Sequence, residues 1–151
     1  MSIVLGKDEN VIREDVFTTN LALFWLKSNF SLTNKRVTGQ SPNTLFGLIP
    51  LGKHDIAQPL KNITSIACST KFYIGRLVLG LFLIFIGIAI QNIYSLIILI
   101  LPGLILLLNS YTTTMQIASN NVSAQTFEIS ILEKAKVESF VTQMNTTVSE
   151  L

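Results

Sequence analysis

A long apolar segment in the middle of the chain constrains its fold more than any other feature. The segment extends from Phe72 to Leu108, and after Arg76 it contains no Asp, Glu, Lys, Arg or His. As one α-helix it would be roughly 55 Å long, whereas the hydrocarbon core of a bilayer is about 30 Å thick. The polar pair Gln91–Asn92 offers a turn. The segment therefore predicts a transmembrane hairpin, with helices over about 72–90 and 93–108.

The basic residues beside this segment predict how it is oriented. Lys61, Lys71 and Arg76 lie on its amino-terminal side, whereas the turn is uncharged. Under the positive-inside rule, both termini are then cytoplasmic in a multi-pass protein of the cell membrane. These three residues and Trp25 are expected at the membrane interface. Arg76 either extends its guanidinium to that interface or belongs to an ion pathway.

Three glycines of the segment are candidates for helix packing. Gly80 and Gly87 are seven residues apart and share one helix face, and Gly103 lies about as far from the turn as Gly80 does. Small residues let two helices approach closely, so these glycines are predicted at the contact between the helices. They are equally compatible with a lipid-facing surface. Pro102 is expected to kink the second helix.

The sequence on either side of the hairpin predicts strands and one helix. Before the hairpin, the predicted strands are 29–39, 45–51 and 63–72. The run 21–26, which contains Trp25, is either a core strand or an interface anchor. After the hairpin, the predicted elements are strands at 111–118 and 122–129, a turn at 119–121 and an amphipathic helix opened by Ser130. Residues 1–71 and 110–151 are therefore expected to form one split cytoplasmic domain, interrupted by the membrane hairpin 72–109.

Three sequence strings resemble the bacterial pleckstrin-homology-like family. They are N-L-A-L-F-W-L-K-S-N-F from Asn20, L-T-N-K-R-V from Leu32 and P-L-K-N-I from Pro59. The resemblance implies a bent antiparallel sheet of seven strands with a C-terminal capping helix, here an α+β membrane protein with an inserted hairpin. It also implies a role in self-assembly, or in protection against envelope stress or membrane-active peptides.

Catalysis and metal binding have little support in the sequence. His54 is the only histidine, so zinc sites built on several histidines and His-based triads with further ligands are not available. His54 is expected in a solvated turn over 52–55, beside Asp55. Cys68, the only cysteine, is expected to be inert rather than catalytic. No glycine-rich phosphate loop is present, and we expect no enzyme activity, no cofactor and no metal.

The charge balance and the hairpin together indicate the class of partner. Between Val16 and Arg76 the only acidic residue is Asp55, and the basic residues are Lys27, Lys35, Arg36, Lys53, Lys61, Lys71 and Arg76. This favours contact with the anionic leaflet of a lipid bilayer, with specific headgroup binding as the sharper alternative, and no nucleic acid. We expect a scaffold or interaction module that forms a homo-oligomer. The alternative is an oligomeric channel or transporter accessory subunit built from the hairpins.

Overall fold

The structure is a computed structural model that describes residues 6–45, 49–120 and 122–150. The first five strands are β1 (Val11–Thr18), β2 (Lys27–Thr33), β3 (Arg36–Leu45), β4 (Ile49–Pro59) and β5 (Ile63–Phe72). The helices α1 (Ile74–Ala89), α2 (Ile93–Ser95) and α3 (Leu101–Leu108) follow, with a π-helical turn at Leu96–Ile100. The chain continues with β6 (Tyr111–Ser119), β7 (Val122–Ser130) and α4 (Lys134–Ser149), and short 3-10 turns occur at Leu60–Asn62 and Ile131–Glu133.

The described residues form two antiparallel sheets rather than the single bent sheet that the family resemblance implies. Their strand orders are β1-β2-β3-β4 and β5-β6-β7. The break falls between β4 and β5, where Pro59 ends one strand and the turn at Leu60–Asn62 precedes the next. Proline has no backbone N–H to donate to a ladder, and the buried side chain of Leu60 holds the turn against the core. The prediction of one continuous sheet is therefore wrong.

The core is formed by side chains from both sheets and from α4. The rings of Phe17 and Phe140 lie 5.7 Å apart, and those of Phe30 and Phe127 lie 5.1 Å apart, both pairs edge to face. The buried residues of α4 are Val137, Phe140, Val141 and Met144. They recur at the spacing that places residues on one helix face, so α4 covers the core with that face. The two sheets and α4 together form the packed body to which the hairpin is attached.

Before the hairpin, two stretches differ from the sequence prediction, and a third lies partly outside the described residues. The predicted strand 29–39 is wrong, because the chain turns between β2 and β3, where the Thr33 hydroxyl accepts hydrogen bonds from the N–H groups of Lys35 and Arg36. The run 21–26 is not a strand, since the Asn20 side chain accepts from two successive backbone N–H groups and bends the chain. Of the predicted strand 45–51, residues 46–48 lie outside the described residues.

The predicted turn over 52–55 is also wrong. His54 lies within β4 and pairs with Ser41 of β3 in the antiparallel register. Its ring lies 6.0 Å from that of Phe127. After the hairpin, β6 and β7 occupy the predicted strand positions and α4 follows them, whereas Asn121 of the predicted turn lies outside the described residues.

The apolar segment does form a helical hairpin, but its helices are short. In the part of the chain that the structure describes, no helix is long and apolar enough to cross a membrane. The first helix, α1, has 16 residues and is therefore about 24 Å long, and the second arm is divided into α2, the π-helical turn and α3. This finding contradicts the predicted transmembrane hairpin, the α+β membrane fold and the multi-pass location in the cell membrane.

Local contacts explain where α1 begins and ends. Phe72 still pairs with Tyr111 in the second sheet, and the N–H of Tyr73 donates to the Ser110 carbonyl at 2.7 Å, so the helix begins only at Ile74. At its other end Gln91 takes a φ of 54°, which an α-helix does not allow. The helix is therefore shorter than the apolar run in the sequence.

The second arm is interrupted just before a proline. Pro102 has no N–H, and its ring excludes the carbonyl four residues earlier, so regular α-helical bonding cannot continue through it. The chain responds with the π-helical turn Leu96–Ile100, and Pro102 then occupies the first turn of α3. Where the sequence predicts a kink at Pro102, the structure has a π-helical turn, which is wider than an α-helical turn, just before the proline.

The segment before β1 is tied to the first sheet by a carboxylate. Glu9 accepts hydrogen bonds from the Gly6 N–H at 2.7 Å, from the Thr33 hydroxyl at 2.9 Å and from Arg36 Nε at 2.8 Å. These contacts lower the pKa of Glu9 to about 2, with the Gly6 N–H as the largest cause and the Arg36 guanidinium next. The charged carboxylate therefore links the start of the chain to β2 and β3.

This arrangement predicts an acid-sensitive contribution to stability. The folded pKa of Glu9 is about 2 and its ordinary value is 4.5, so its stabilisation is complete above pH 4.5 and is lost as the pH falls toward 2. We expect Glu9→Gln to lower the free energy of unfolding at pH 6, with the difference from wild type shrinking between pH 4.5 and 2. Urea denaturation at a series of pH values measures this. Glu14→Gln, at an exposed position of β1, is the control, and a difference that does not depend on pH would contradict the assignment.

Candidate functional site

The two arms of the hairpin approach each other at glycines. A Cβ added to Gly80 would lie 2.8 Å from the Gly103 carbonyl oxygen, and a Cβ added to Gly103 would lie 2.9 Å from the Gly80 carbonyl oxygen. A Cβ on Gly87 would lie 2.6 Å from Cγ1 of Ile100. The structure thus brings Gly80 and Gly103 together and sets Gly87 against a side chain of the second arm. The inner face of the hairpin is therefore closely packed.

The outer face of the hairpin is exposed and apolar. Phe85 on α1 is 74% exposed and Tyr94 near the turn is 70% exposed. Other exposed apolar side chains, on the outward sides of the two arms and at the turn, are Val78, Phe82, Ile88, Ile93, Ile97 and Leu104. We call the exposed apolar side chains from Val78 to Leu108 the apolar hairpin surface. A monomeric protein rarely exposes an apolar patch larger than a few hundred Å2, so a surface of this extent indicates a binding site.

Aromatic residues are exposed at the base of the hairpin as well. Phe24 and Trp25 stack edge to face with ring centres 5.3 Å apart, and Trp25 is 61% exposed. Phe72 and Tyr111, at the ends of β5 and β6 where the hairpin begins and ends, have ring centres 6.5 Å apart. We call these four residues the aromatic base group.

Hydrogen bonds hold the Phe24–Trp25 loop against the hairpin. The Thr19 N–H donates to the Leu26 carbonyl at 2.9 Å, which closes the loop. Asn109, at the end of α3, donates from its amide nitrogen to Asn20 Oδ1 at 2.8 Å and accepts from the Leu21 N–H at 3.0 Å. Both asparagines are buried. The loop therefore lies at the base of the hairpin, next to α3.

A partly buried ion pair joins the hairpin to the second sheet. Arg76 donates from Nη2 to Glu128 Oε2 at 2.7 Å and from Nη1 to the Asn109 carbonyl at 3.2 Å. Its side chain is 10% exposed, and its guanidinium lies 4.2 Å from the ring centre of Tyr73. Burial, followed by a hydrogen bond with Glu128, raises the pKa of Tyr73 to about 12, so this phenol stays neutral. We call Arg76, Glu128, Tyr73, Asn20 and Asn109 the polar junction.

The polar junction borders a cavity that is too small for a substrate. Its volume is about 20 Å3, which is enough for about one water molecule. Its lining residues are Thr19, Asn20, Pro42, Thr44, Arg76, Asn109 and Glu128. Within the described ranges, no cluster of three or more His, Cys, Asp or Glu could hold a metal ion. The geometry of the junction suits the attachment of the hairpin rather than chemistry on a ligand.

The predicted interface residues are not all brought together. Trp25 and Arg76 lie at the hairpin base. Lys71 lies near Arg76, since its Nζ is 5.2 Å from the ring centre of Tyr73, which the Arg76 guanidinium also contacts. Lys61 lies in the turn before β5, and Lys71 lies near the other end of that ten-residue strand, roughly 30 Å away. Lys61 is therefore not part of this site.

The lone cysteine does not have the environment of a nucleophile. Cys68 lies on β5, half-buried. Burial is the main cause that raises the pKa of its thiol, with the Glu138 carboxylate adding to the effect. A reactive thiol needs the opposite shift, because the thiolate is the nucleophilic form.

Sequence reasoning missed Glu128, Asn20 and Asn109. The signal for Glu128 was available: Arg76 is the last charged residue before a long uncharged stretch, and Glu128 is the first acidic residue after it. A buried arginine needs an acceptor, and pairing across the hairpin supplies one. The two asparagines carried no comparable signal, since nothing in their spacing indicates that they meet.

Comparisons of the chain with protein-family models, with curated proteins and with solved structures find no match. The resemblance to the pleckstrin-homology-like family therefore stays a prediction.

The close approach at Gly80 predicts the effect of a single methyl group. Gly80→Ala would push against a backbone carbonyl of α3, so we expect the free energy of unfolding to fall by about 1–3 kcal/mol. Gly75→Ala is the matched control, since a Cβ there meets nothing within 4 Å, and it should be neutral or stabilising by up to about 1 kcal/mol. Urea denaturation at one fixed protein concentration compares the two. Equal changes in the free energy of unfolding for the two variants would show that the two arms can move apart at Gly80 without a loss of stability.

Proposed function

We propose that the protein is a non-catalytic interaction module that assembles into a homo-oligomer through its apolar hairpin surface. The observation that carries this proposal is the exposed apolar face from Val78 to Leu108, which contains no charged residue. Burial of such a face against another chain removes apolar surface from water without desolvating a charge.

The extent of the surface is sufficient for a stable interface. A large aromatic or aliphatic side chain offers about 150–200 Å2, and roughly ten such side chains at half exposure supply on the order of 800–1,000 Å2. A stable interface buries about 800 Å2 on each partner. This estimate of the apolar area counts only the hairpin, and the aromatic base group would add to it.

A second copy is a suitable partner for chemical reasons. Two identical charge-free faces do not repel each other, and a two-fold axis lets the same patch serve on both sides of the interface. The sequence resemblance favours the same reading, since it implies self-assembly. An oligomeric channel gains no support from this surface, because it carries no charged residue that could line an ion path.

The hairpin is also preorganised: its conformation is already fixed before it binds a partner. Its arms are held together by the glycine contacts, and the Arg76–Glu128 ion pair fixes its base to β7. A surface that is already ordered loses little conformational entropy on association. This favours a permanent assembly interface over a segment that folds on binding.

The test is the oligomeric state in detergent-free buffer. We expect sedimentation analysis to show a discrete oligomer for the wild type and a weakening of association by at least about 100-fold for Phe85→Asp, because a charge would enter an apolar interface. Val11→Asp is the matched control: Val11 is 43% exposed and begins β1, and the opposite end of this strand leads into the loop at the hairpin base. It should leave the oligomer unchanged.

Two outcomes would contradict the proposal. One is a wild-type protein that stays monomeric over the whole accessible concentration range. The other is an equal loss of association in Phe85→Asp and Val11→Asp. Circular dichroism of each variant checks that the fold is retained.

A further inference from the structure

The exposed apolar side chains reach from the base of the hairpin to its tip. At the base they are the aromatic base group, and at the tip they are Ile90, Ile93 and Tyr94. The length of α1, about 24 Å, separates the two groups. An occupant that covers the whole surface must therefore extend along the full hairpin and end in an apolar group at each end.

A second hairpin of the same chain meets these requirements in one orientation. We infer, on the basis of the proposed function, that two copies pair antiparallel along their hairpins, so that the tip of each lies against the aromatic base group of the other. In this arrangement, Ile90 and Tyr94 of one copy face Trp25 and Phe72 of its partner. Both exposed ends of each copy are then covered, and the contact closes on itself as a dimer.

The width of the folded part selects the antiparallel orientation. The two sheets and α4 comprise about one hundred residues, which corresponds to a body roughly 30 Å across. Packed helices lie only about 8–10 Å apart. In a parallel pair, the two bodies would lie side by side at the same end and hold the hairpins apart. In an antiparallel pair they lie at opposite ends, and the hairpins can meet.

The charges at the base favour the same orientation. Lys71 is exposed beside Phe72, and a parallel pair would bring the two Lys71 side chains to the same end of the dimer. An antiparallel pair separates them by the length of the hairpin. Each lysine then lies beside an uncharged tip, in which Gln91 and Asn92 are the polar residues of the turn.

Cross-linking through single cysteines tests the orientation. The native thiol is first removed by Cys68→Ser, and Lys71→Cys or Ile90→Cys is then added to separate chains. These positions mark the base and the tip, and both are exposed. The two positions are almost 30 Å apart along the hairpin, so a short bismaleimide joins them only if the base of one chain lies beside the tip of another.

In the antiparallel dimer, only a mixture of the two variants gives a covalent dimer. Covalent dimers of Ile90→Cys alone, or of Lys71→Cys alone, would show a parallel pair and overturn the inference while leaving self-association intact. A non-covalent dimer that cross-links in none of the samples would overturn it as well. A monomer by sedimentation would overturn both the orientation and the proposed function.

A second pair of positions guards against local damage. Tyr111→Cys marks the base and Ile93→Cys marks the tip, and both side chains are exposed. The same pattern is expected: cross-linked dimers in the mixture and none in either variant alone. Agreement between the two pairs excludes an effect of one substitution on the fold, and disagreement overturns the antiparallel contact.

Discussion

The ion pair between Arg76 and Glu128 is the interaction on which the placement of the hairpin depends. Arg76 is in the first turn of α1 and Glu128 is in β7, so the 2.7 Å contact joins the hairpin to the second sheet. The guanidinium also lies over the Tyr73 ring and donates to the Asn109 carbonyl. Removal of Glu128 would leave the guanidinium of Arg76, which is only 10% exposed, without its carboxylate, and this costs more than the pair itself contributes. A polar contact therefore holds the hairpin, and with it the apolar hairpin surface, against the second sheet.

Part of this fold could be predicted from the sequence, for physical reasons that are visible in particular residues. The β5 strand and the strand–strand–helix tail follow local patterns: a short run over 63–72 that is set off by polar turn residues, and helical spacing from Val137 to Met144. The hairpin itself follows from the length of the apolar run and the polar turn at Gln91–Asn92. Local patterns could not show that Thr33 turns the chain after β2, because that turn uses a side-chain hydroxyl rather than glycine or proline.

The error on membrane spanning has a definite cause. Hydropathy measures how apolar a segment is, but not how much of it becomes helix. Phe72 remains in a strand, Gln91 takes a left-handed conformation and Pro102 interrupts the second arm, so each helix is shorter than its apolar run.

The candidate site, like the fold, was only partly predictable from the sequence. The glycines and Arg76 were found by residue type and spacing, whereas Glu128 and the two asparagines meet them only through the tertiary fold.

The hairpin also has a consequence for how the second sheet forms. Strand β5 pairs with β6 in a register that joins Ile63 to Ser119 and Phe72 to Tyr111. The residues between Phe72 and Tyr111, which include the hairpin, therefore form the loop that joins the two strands. Closure of a long flexible loop carries an entropy cost and slows folding. The helical contacts at Gly80 and Gly103 lie within the loop itself, so a hairpin that forms first would bring the two ends of the loop together. If the hairpin closes first, it shortens the effective loop, and the same glycines that hold its two arms together favour the pairing of β5 with β6.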